Sequence, residues 1–128
     1  MKENKYIEAK AKLIYYTKWI IAECDPGIVD YYLWWYKKHH HIKLMKSKHG
    51  SHVSIVRGEE EGIEKGNWDR DIESRPEITY YYSHGDLQEG RGYVWLKVHG
   101  DDFTKVRTGL GLSEVSHFGF HLTIGRIP

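Results

Sequence analysis

The stretch HVSIVR, residues 52–57, recurs near the end of the chain as HLTIGR, residues 121–126. Both copies read His, an apolar residue, a hydroxyl residue, Ile, a variable residue and Arg. Their alternation and β-branched side chains predict a strand around each copy, at 52–58 and at 120–127. Residues two apart on a strand point to the same face, so each His projects together with the Ser or Thr that follows it.

Similar elements are predicted before both copies of this motif. The predicted strands are 11–19 and 93–98, and the predicted helices are 25–40 and 101–112. Asp25 is the expected N-cap of the first helix, with Pro26 at its first position, and Asp101 or Asp102 is the expected cap of the second. The chain therefore contains a weak internal repeat of β-α-β type, and two such units can form one sheet about a pseudo-twofold axis.

The segment between the two units completes the predicted fold. A short strand or strand-like connector is expected at 42–46, a long polar loop at 59–77, and a strand at 78–83 that forms a hairpin with 93–98. The fold class that follows is α+β. Two β-α-β lobes form a mostly antiparallel sheet with a concave active-site cleft, in a single domain that covers residues 1–128.

Composition limits the classes of function. The chain has 128 residues, 40% hydrophobic and 29% charged, which is typical of one globular domain. A net charge of +1 argues against general binding to duplex nucleic acid. A single cysteine cannot form an intramolecular disulfide, and no apolar run is long enough to span a membrane. We therefore expect a cytoplasmic protein with no membrane partner.

The two motif copies carry a set of groups that suits phosphodiester chemistry. The four candidate catalytic residues are His52, Ser54, His121 and Thr123. One imidazole can take a proton from an attacking hydroxyl or water while the other gives a proton to the leaving oxygen. The two hydroxyls can donate hydrogen bonds to phosphate oxygens. The sequence does not assign the acid and the base, because the two copies are equivalent.

Paired His-x-Ser/Thr motifs on the strands of a duplicated β-α-β fold resemble the 2H phosphoesterase superfamily, over essentially the whole chain. The resemblance implies a hydrolase that needs no metal and no cofactor. The motif spacing, GSHVSIVRG and the Trp- and Tyr-rich helix look most like one branch of that superfamily, the phage anti-CBASS nucleases. These degrade the cyclic oligonucleotide messengers of bacterial immunity. The implied partner is a small anionic cyclic di- or trinucleotide, in the cytoplasm of a host bacterium.

That branch is expected to stack aromatic side chains on bases, and Tyr16, Trp68 and Tyr82 are candidates by position. Three alternatives stay open at this stage. The chain could open 2′,3′-cyclic phosphates at RNA ends, bind a cyclic nucleotide as a sponge without cleaving it, or have a structural role. The base preference, the linkage cleaved and the oligomeric state are open as well.

Two further features are predicted to lie outside the site. Arg57 and Arg126 follow their motif histidines at an odd offset, which points them to the opposite face of a regular strand; a bulge would reverse that. The run of histidines at 39–41 is predicted to be a solvated helix end, because its spacing does not match a helical metal motif.

Overall fold

The computed structural model describes residues 5–16, 19–47, 50–57, 77–115 and 119–128. Its strands are β1 Ile7–Tyr16, β2 Trp19–Cys24, β3 Met45–Lys46, β4 His52–Arg57, β5 Glu77–Tyr82, β6 Leu87–Gly90, β7 Tyr93–Lys97 and β8 His121–Arg126. Its α-helices are α1 Pro26–His40 and α2 Asp101–Gly109, and a 3-10 turn covers His84–Asp86. No helix among the described residues is long and apolar enough to cross a membrane.

All eight strands belong to one sheet. Its order is β5-β1-β2-β4-β8-β7-β6, with β3 paired to β8 beside this path. Every recorded strand pairing is antiparallel. The predicted α+β class with a mostly antiparallel sheet is therefore confirmed. In each strand-helix-strand unit the flanking strands are direct neighbours, β2 beside β4 and β7 beside β8.

Both helices pack on one face of the sheet, and the opposite face, which no described helix covers, is called the open face. Alternate residues of the central strands, Val53 on β4 and Leu122 on β8 among them, are fully buried in a cluster that includes Tyr32 of α1 and Phe103 of α2. Burial of apolar area on this scale is the main contribution to stability. Because side chains alternate along a strand, the remaining residues of β4 and β8 lie on the open face.

The first helix begins and ends as its sequence predicts. The Asp25 side chain accepts a hydrogen bond from the Gly27 amide at 2.9 Å, and Pro26 occupies the first helical position. At the other end His41 adopts the left-handed conformation with φ 56°, and its amide donates to the Lys37 carbonyl at 3.0 Å.

The cap predicted for the second helix is wrong. Gly100 occupies the N-cap position of α2, and no side chain caps the helix. The Asp102 carboxylate instead accepts a hydrogen bond from the Thr79 amide of β5 at 2.9 Å. This bond ties the helix to the sheet edge, a tertiary use of the carboxylate that local sequence does not reveal. The helix ends at Gly109, three residues before the predicted end.

Two predicted strands and one predicted hairpin differ from the observed structure. The single strand predicted at 11–19 is a hairpin of β1 and β2, and the strand predicted at 42–46 is only the two-residue β3. The hairpin predicted between 78–83 and 93–98 does not form, because β5 pairs with β1 and β7 pairs with β6. Arg91 and Gly92 join β6 to β7, and both have positive φ, as a type I′ turn requires.

A buried arginine links the second helix to β4. Arg107 of α2 is 0% exposed, and its Nη1 donates to the Ile55 carbonyl oxygen at 2.9 Å. Its Nε donates to the Ser113 carbonyl oxygen at 2.7 Å, and Nη2 donates to the Ser113 hydroxyl at 3.1 Å. A guanidinium has five donors in a planar fork, which lets one side chain serve three acceptors at once.

Close packing of β3 against β8 requires a glycine at position 125. A Cβ there would lie 2.9 Å from the Leu44 Cβ and from the Met45 carbonyl oxygen, whereas a Cβ at Gly109 would meet nothing within 4 Å. We expect Gly125→Ala to lower the free energy of unfolding by about 2 kcal/mol through overpacking. The control Gly109→Ala should raise it by up to about 1 kcal/mol. Urea denaturation measures both, and equal effects at the two positions would contradict the packing argument.

Candidate functional site

The two motif copies meet at the centre of the sheet. Val53 of β4 pairs with Leu122 of β8 in antiparallel register. Continued by one residue in each direction, this register brings His52 alongside Thr123 and Ser54 alongside His121. Opposite Cα atoms in such a pair are about 5 Å apart. The fold therefore gathers all four predicted catalytic residues, although the two motif copies lie 69 positions apart in the chain.

The four motif side chains share one environment. Each is half-buried, and each alternates with the fully buried Val53 or Leu122, so all four lie on the face that the helices leave open. Half-burial keeps an imidazole in contact with solvent while neighbouring strands fix its position. Such a surface can bind a small ligand without a large rearrangement.

The outer neighbours of the two histidines differ in charge. Glu23 of β2 pairs with His52, and Lys97 of β7 pairs with His121. Both of these charged residues are exposed. The motif set is thus flanked by a carboxylate on one side and an ammonium on the other.

A backbone contact orients the first histidine. Nδ1 of His52 lies 3.4 Å from the Gly50 carbonyl oxygen. A carbonyl oxygen only accepts hydrogen bonds, so this contact favours the tautomer with the proton on Nδ1. In neutral His52 the Nε2 lone pair is then available to receive a proton or to accept a hydrogen bond.

Both motif strands contain an irregularity at the same motif position. The β2–β4 register shifts between Ser54 and Val56, and the β7–β8 register shifts between Thr123 and Gly125. The extra residue is the Ile of the motif in each copy. A bulge reverses the alternation beyond it, so the regular-strand expectation is wrong for Arg126, whereas the side chain of Arg57 lies outside the described part of the chain.

After the bulge, Arg126 is on the open face with the motif. Arg126 pairs with Tyr93 of β7, and Thr123 pairs with Trp95 of the same strand. Tyr93 and Trp95 are two residues apart, so their side chains lie on one face of the sheet. Arg126 is exposed, and its Nη2 donates to the Met45 sulfur at 3.2 Å. The backbone of Arg57 pairs with Trp19 of β2 in the equivalent register.

Of the three predicted base-stacking residues, one lies on the motif face, one lies on the core face, and one is outside the described residues. Tyr16 is 54% exposed at the end of β1, where it pairs with Trp19, and it lies on the motif face two strands away from β4. Tyr82 is 8% exposed and lies on the core face of β5, because its strand parity matches that of the fully buried Tyr80. The structure therefore does not bring Tyr82 to the motif. Trp68 lies outside the described residues.

Sequence reasoning missed an aromatic residue beside the motif. Trp95 of β7 pairs with Thr123 and is half-buried on the open face. Its indole lies over Gly90, where a Cβ would come within 3.0 Å of the ring. The alternation of YVWLKV correctly predicted a strand at 93–98. It could not place Trp95 beside Thr123, because that neighbourhood depends on the pairing of β7 with β8.

The single cysteine of the chain does not add a nucleophile to the motif set. Burial raises the pKa of the Cys24 thiol to about 11, so this thiol is protonated at neutral pH and a poor nucleophile. Within the described ranges, no group of three or more His, Cys, Asp or Glu side chains is arranged to hold a metal ion.

No protein-family model, no curated protein and no solved structure matches this chain.

Proposed function

We propose that the chain is a phosphodiesterase of the 2H type that works without a metal. The observation that carries the proposal is the antiparallel pairing of Val53 with Leu122. This register gives two imidazoles and two hydroxyls one shared face at the centre of the sheet. Lone histidines on strands are common, but two that are brought together with hydroxyl partners match what acid–base phosphodiester cleavage needs.

The proposed reaction needs only groups of this set. One imidazole removes the proton from an attacking hydroxyl, either water or a ribose 2′-hydroxyl. The attacking oxygen forms a bond to phosphorus, and the bond from phosphorus to the leaving oxygen breaks. The second imidazole, in its protonated form, gives its proton to that leaving oxygen. Ser54 and Thr123 donate hydrogen bonds to the non-bridging oxygens, where negative charge develops.

The arrangement of elements supports a duplicated 2H-like fold. The order hairpin, helix, strand describes β1-β2-α1-β4 and equally β6-β7-α2-β8. Their strands occupy mirrored places in the sheet order, with β4 and β8 in the middle. The bulge at the Ile of each motif copy is a second likeness between the halves. A twofold relation of this kind would make the cleft nearly symmetric.

We propose cyclic di- or trinucleotides as the substrates, which would make the chain an immune-evasion enzyme in the cytoplasm of a phage-infected bacterium. A twofold arrangement of catalytic groups suits a ligand with repeated phosphodiester linkages. Trp95, beside Thr123, and the more distant Tyr16 offer rings on which bases can stack. Lys97 and Arg126 offer positive charge on this face to the phosphates of a small anionic ligand, against the one carboxylate of Glu23.

Incubation with a panel of cyclic di- and trinucleotides in excess EDTA tests the proposal. We expect linear products, detected by mass spectrometry, at a rate that EDTA does not change. RNA oligomers that end in a 2′,3′-cyclic phosphate form a parallel arm. Turnover in that arm alone would replace the cyclic substrates with RNA ends. Ligand that is bound and recovered intact would indicate a sponge, and full loss of activity in EDTA would contradict the metal-free mechanism.

A further inference from the structure

The segment after the α1 aromatic residues has an extreme local charge. Residues 37–49 read KKHHHIKLMKSKH, with five lysines, four histidines and no acidic residue. The chain as a whole has a net charge of only +1, so this excess is concentrated in one place. All the described lysines and histidines of the segment are exposed. A cluster of cations on one surface is the electrostatic feature by which proteins attract polyanions.

Three lysines of this segment line a groove between α1, β3 and the end of β8. The groove has a volume of about 720 Å³, and its lining includes Trp34, Lys37, Lys43 and Lys46. Lys46 pairs with Asp30 across 3.1 Å, a contact that a stronger anion can displace because both groups are exposed. Lys37 and Lys43 have no recorded carboxylate contact among the described residues.

Exposed aromatic rings accompany the cations. Trp34 is 56% exposed, and Lys38 Nζ lies 4.9 Å from the centre of its ring. Tyr31 is 47% exposed, and its ring centre lies 6.0 Å from that of Trp34. Large exposed rings next to lysines are unusual on a surface that serves only solubility, and this combination is the one that stacks bases while it holds phosphates.

We infer that this groove binds single-stranded nucleic acid. Lys37, Lys43 and Lys46 contact successive phosphates, and bases stack on Trp34 and Tyr31. A duplex conceals its base faces from such rings, and an acidic polypeptide or an anionic membrane offers no ring to stack. The aromatic component therefore favours a single strand. The inference concerns a surface separate from the two-histidine face, so it does not depend on the proposed activity.

The groove also borders the motif strand. Met45 contributes to its lining and accepts the hydrogen bond of Arg126 on β8. A single-stranded nucleic acid held in the groove can therefore continue past Arg126 toward the open face that carries Thr123. Single-stranded RNA and single-stranded DNA share the chemistry recognised here, and the binding experiment distinguishes them.

Fluorescence anisotropy with labelled 12-nucleotide RNA and DNA tests the inference on the full chain. We expect a dissociation constant on the order of 10 μM at about 50 mM salt for at least one strand. Three lysine–phosphate contacts predict that log affinity falls with log salt at a slope of about −2. Lys37→Glu combined with Lys43→Glu should weaken binding at least about tenfold, and Trp34→Ala about tenfold.

A double variant with the same charge change at distant exposed positions, Lys5→Glu with Lys105→Glu, is the matched control and should retain binding. No binding by the wild type, or equal loss in the control, would overturn the inference. Equal affinity for polyglutamate or for anionic vesicles would also overturn it, since neither ligand can stack on Trp34.

Discussion

Replacement of either motif histidine by alanine should abolish most phosphodiesterase turnover. We expect His52→Ala and His121→Ala each to lower the rate by about 10²- to 10⁴-fold, the usual contribution of one general acid or base. Because the two groups act in one step, the double variant should be only slightly slower than the worse single variant. The measurement is the steady-state rate on the best substrate of the cyclic nucleotide panel.

A pH profile adds a readout that a structural role would not change. With one imidazole acting as base and one as acid, the wild-type rate should pass through a maximum and fall on both sides. Each single variant should lose one limb of this profile, and the limb lost identifies whether that histidine acts as base or acid.

Controls separate chemistry from folding. His40→Ala changes an exposed histidine in the last turn of α1 and should leave turnover within about twofold, as expected for a surface position away from the site. Melting temperatures of all variants should stay close to wild type, because His52 and His121 are half-buried rather than part of the core. Turnover by both single variants within about threefold of wild type would contradict the mechanism, since each catalytic proton transfer contributes far more.

The second large effect concerns stability. We expect Arg107→Met to lower the free energy of unfolding by about 3 kcal/mol, because three acceptor oxygens lose charge-assisted hydrogen bonds in a buried setting. Arg107→Lys should recover little of this, since one ammonium cannot reproduce the planar fork that serves Ile55 and Ser113 together. Urea denaturation with a two-state fit gives the values.

Lys105→Met is the matched control for Arg107. It removes a cation from the same helix two residues earlier, at an exposed position, and should change stability by no more than about 0.5 kcal/mol. If Arg107→Met lies within about 1 kcal/mol of wild type, the guanidinium does not contribute as its contacts suggest. Because the Ile55 carbonyl belongs to the bulge of β4, the methionine variant should also lose turnover at temperatures where it is still folded.

Local sequence signals predicted the elements whose cause is local. The helix at 25–40 was correct because Asp25, Pro26 and the aromatic spacing act within a few residues of one another. The strands that carry the motif were also correct, because alternation is a local property. The pairing of Val53 with Leu122, which brings the two motif copies together, was foreseen only as a shared cleft, since register depends on which strands become neighbours.

The errors arose where a turn has no clear sequence signal or where an element depends on long-range contacts. Thr17 and Lys18 follow β1 in the sequence, and neither is a Gly, Pro or Asn, so no turn signal indicated two strands in this stretch. The pairing of β5 with β1 joins residues far apart in the chain and displaced the expected partner. Tyr82 was misjudged for the same reason, because its face is determined by the sheet in which β5 lies.

The pairing of Val53 with Leu122 also has a consequence for how the protein folds. The hairpins β1–β2 and β6–β7 need only short chain closures, whereas these two residues lie 69 positions apart. Closing a long loop costs more entropy, and non-local contacts slow folding. We therefore expect the central pair to form after the hairpins. The two histidines would then come together only at the last stage of folding, so a partly folded chain would have every catalytic residue and no working site.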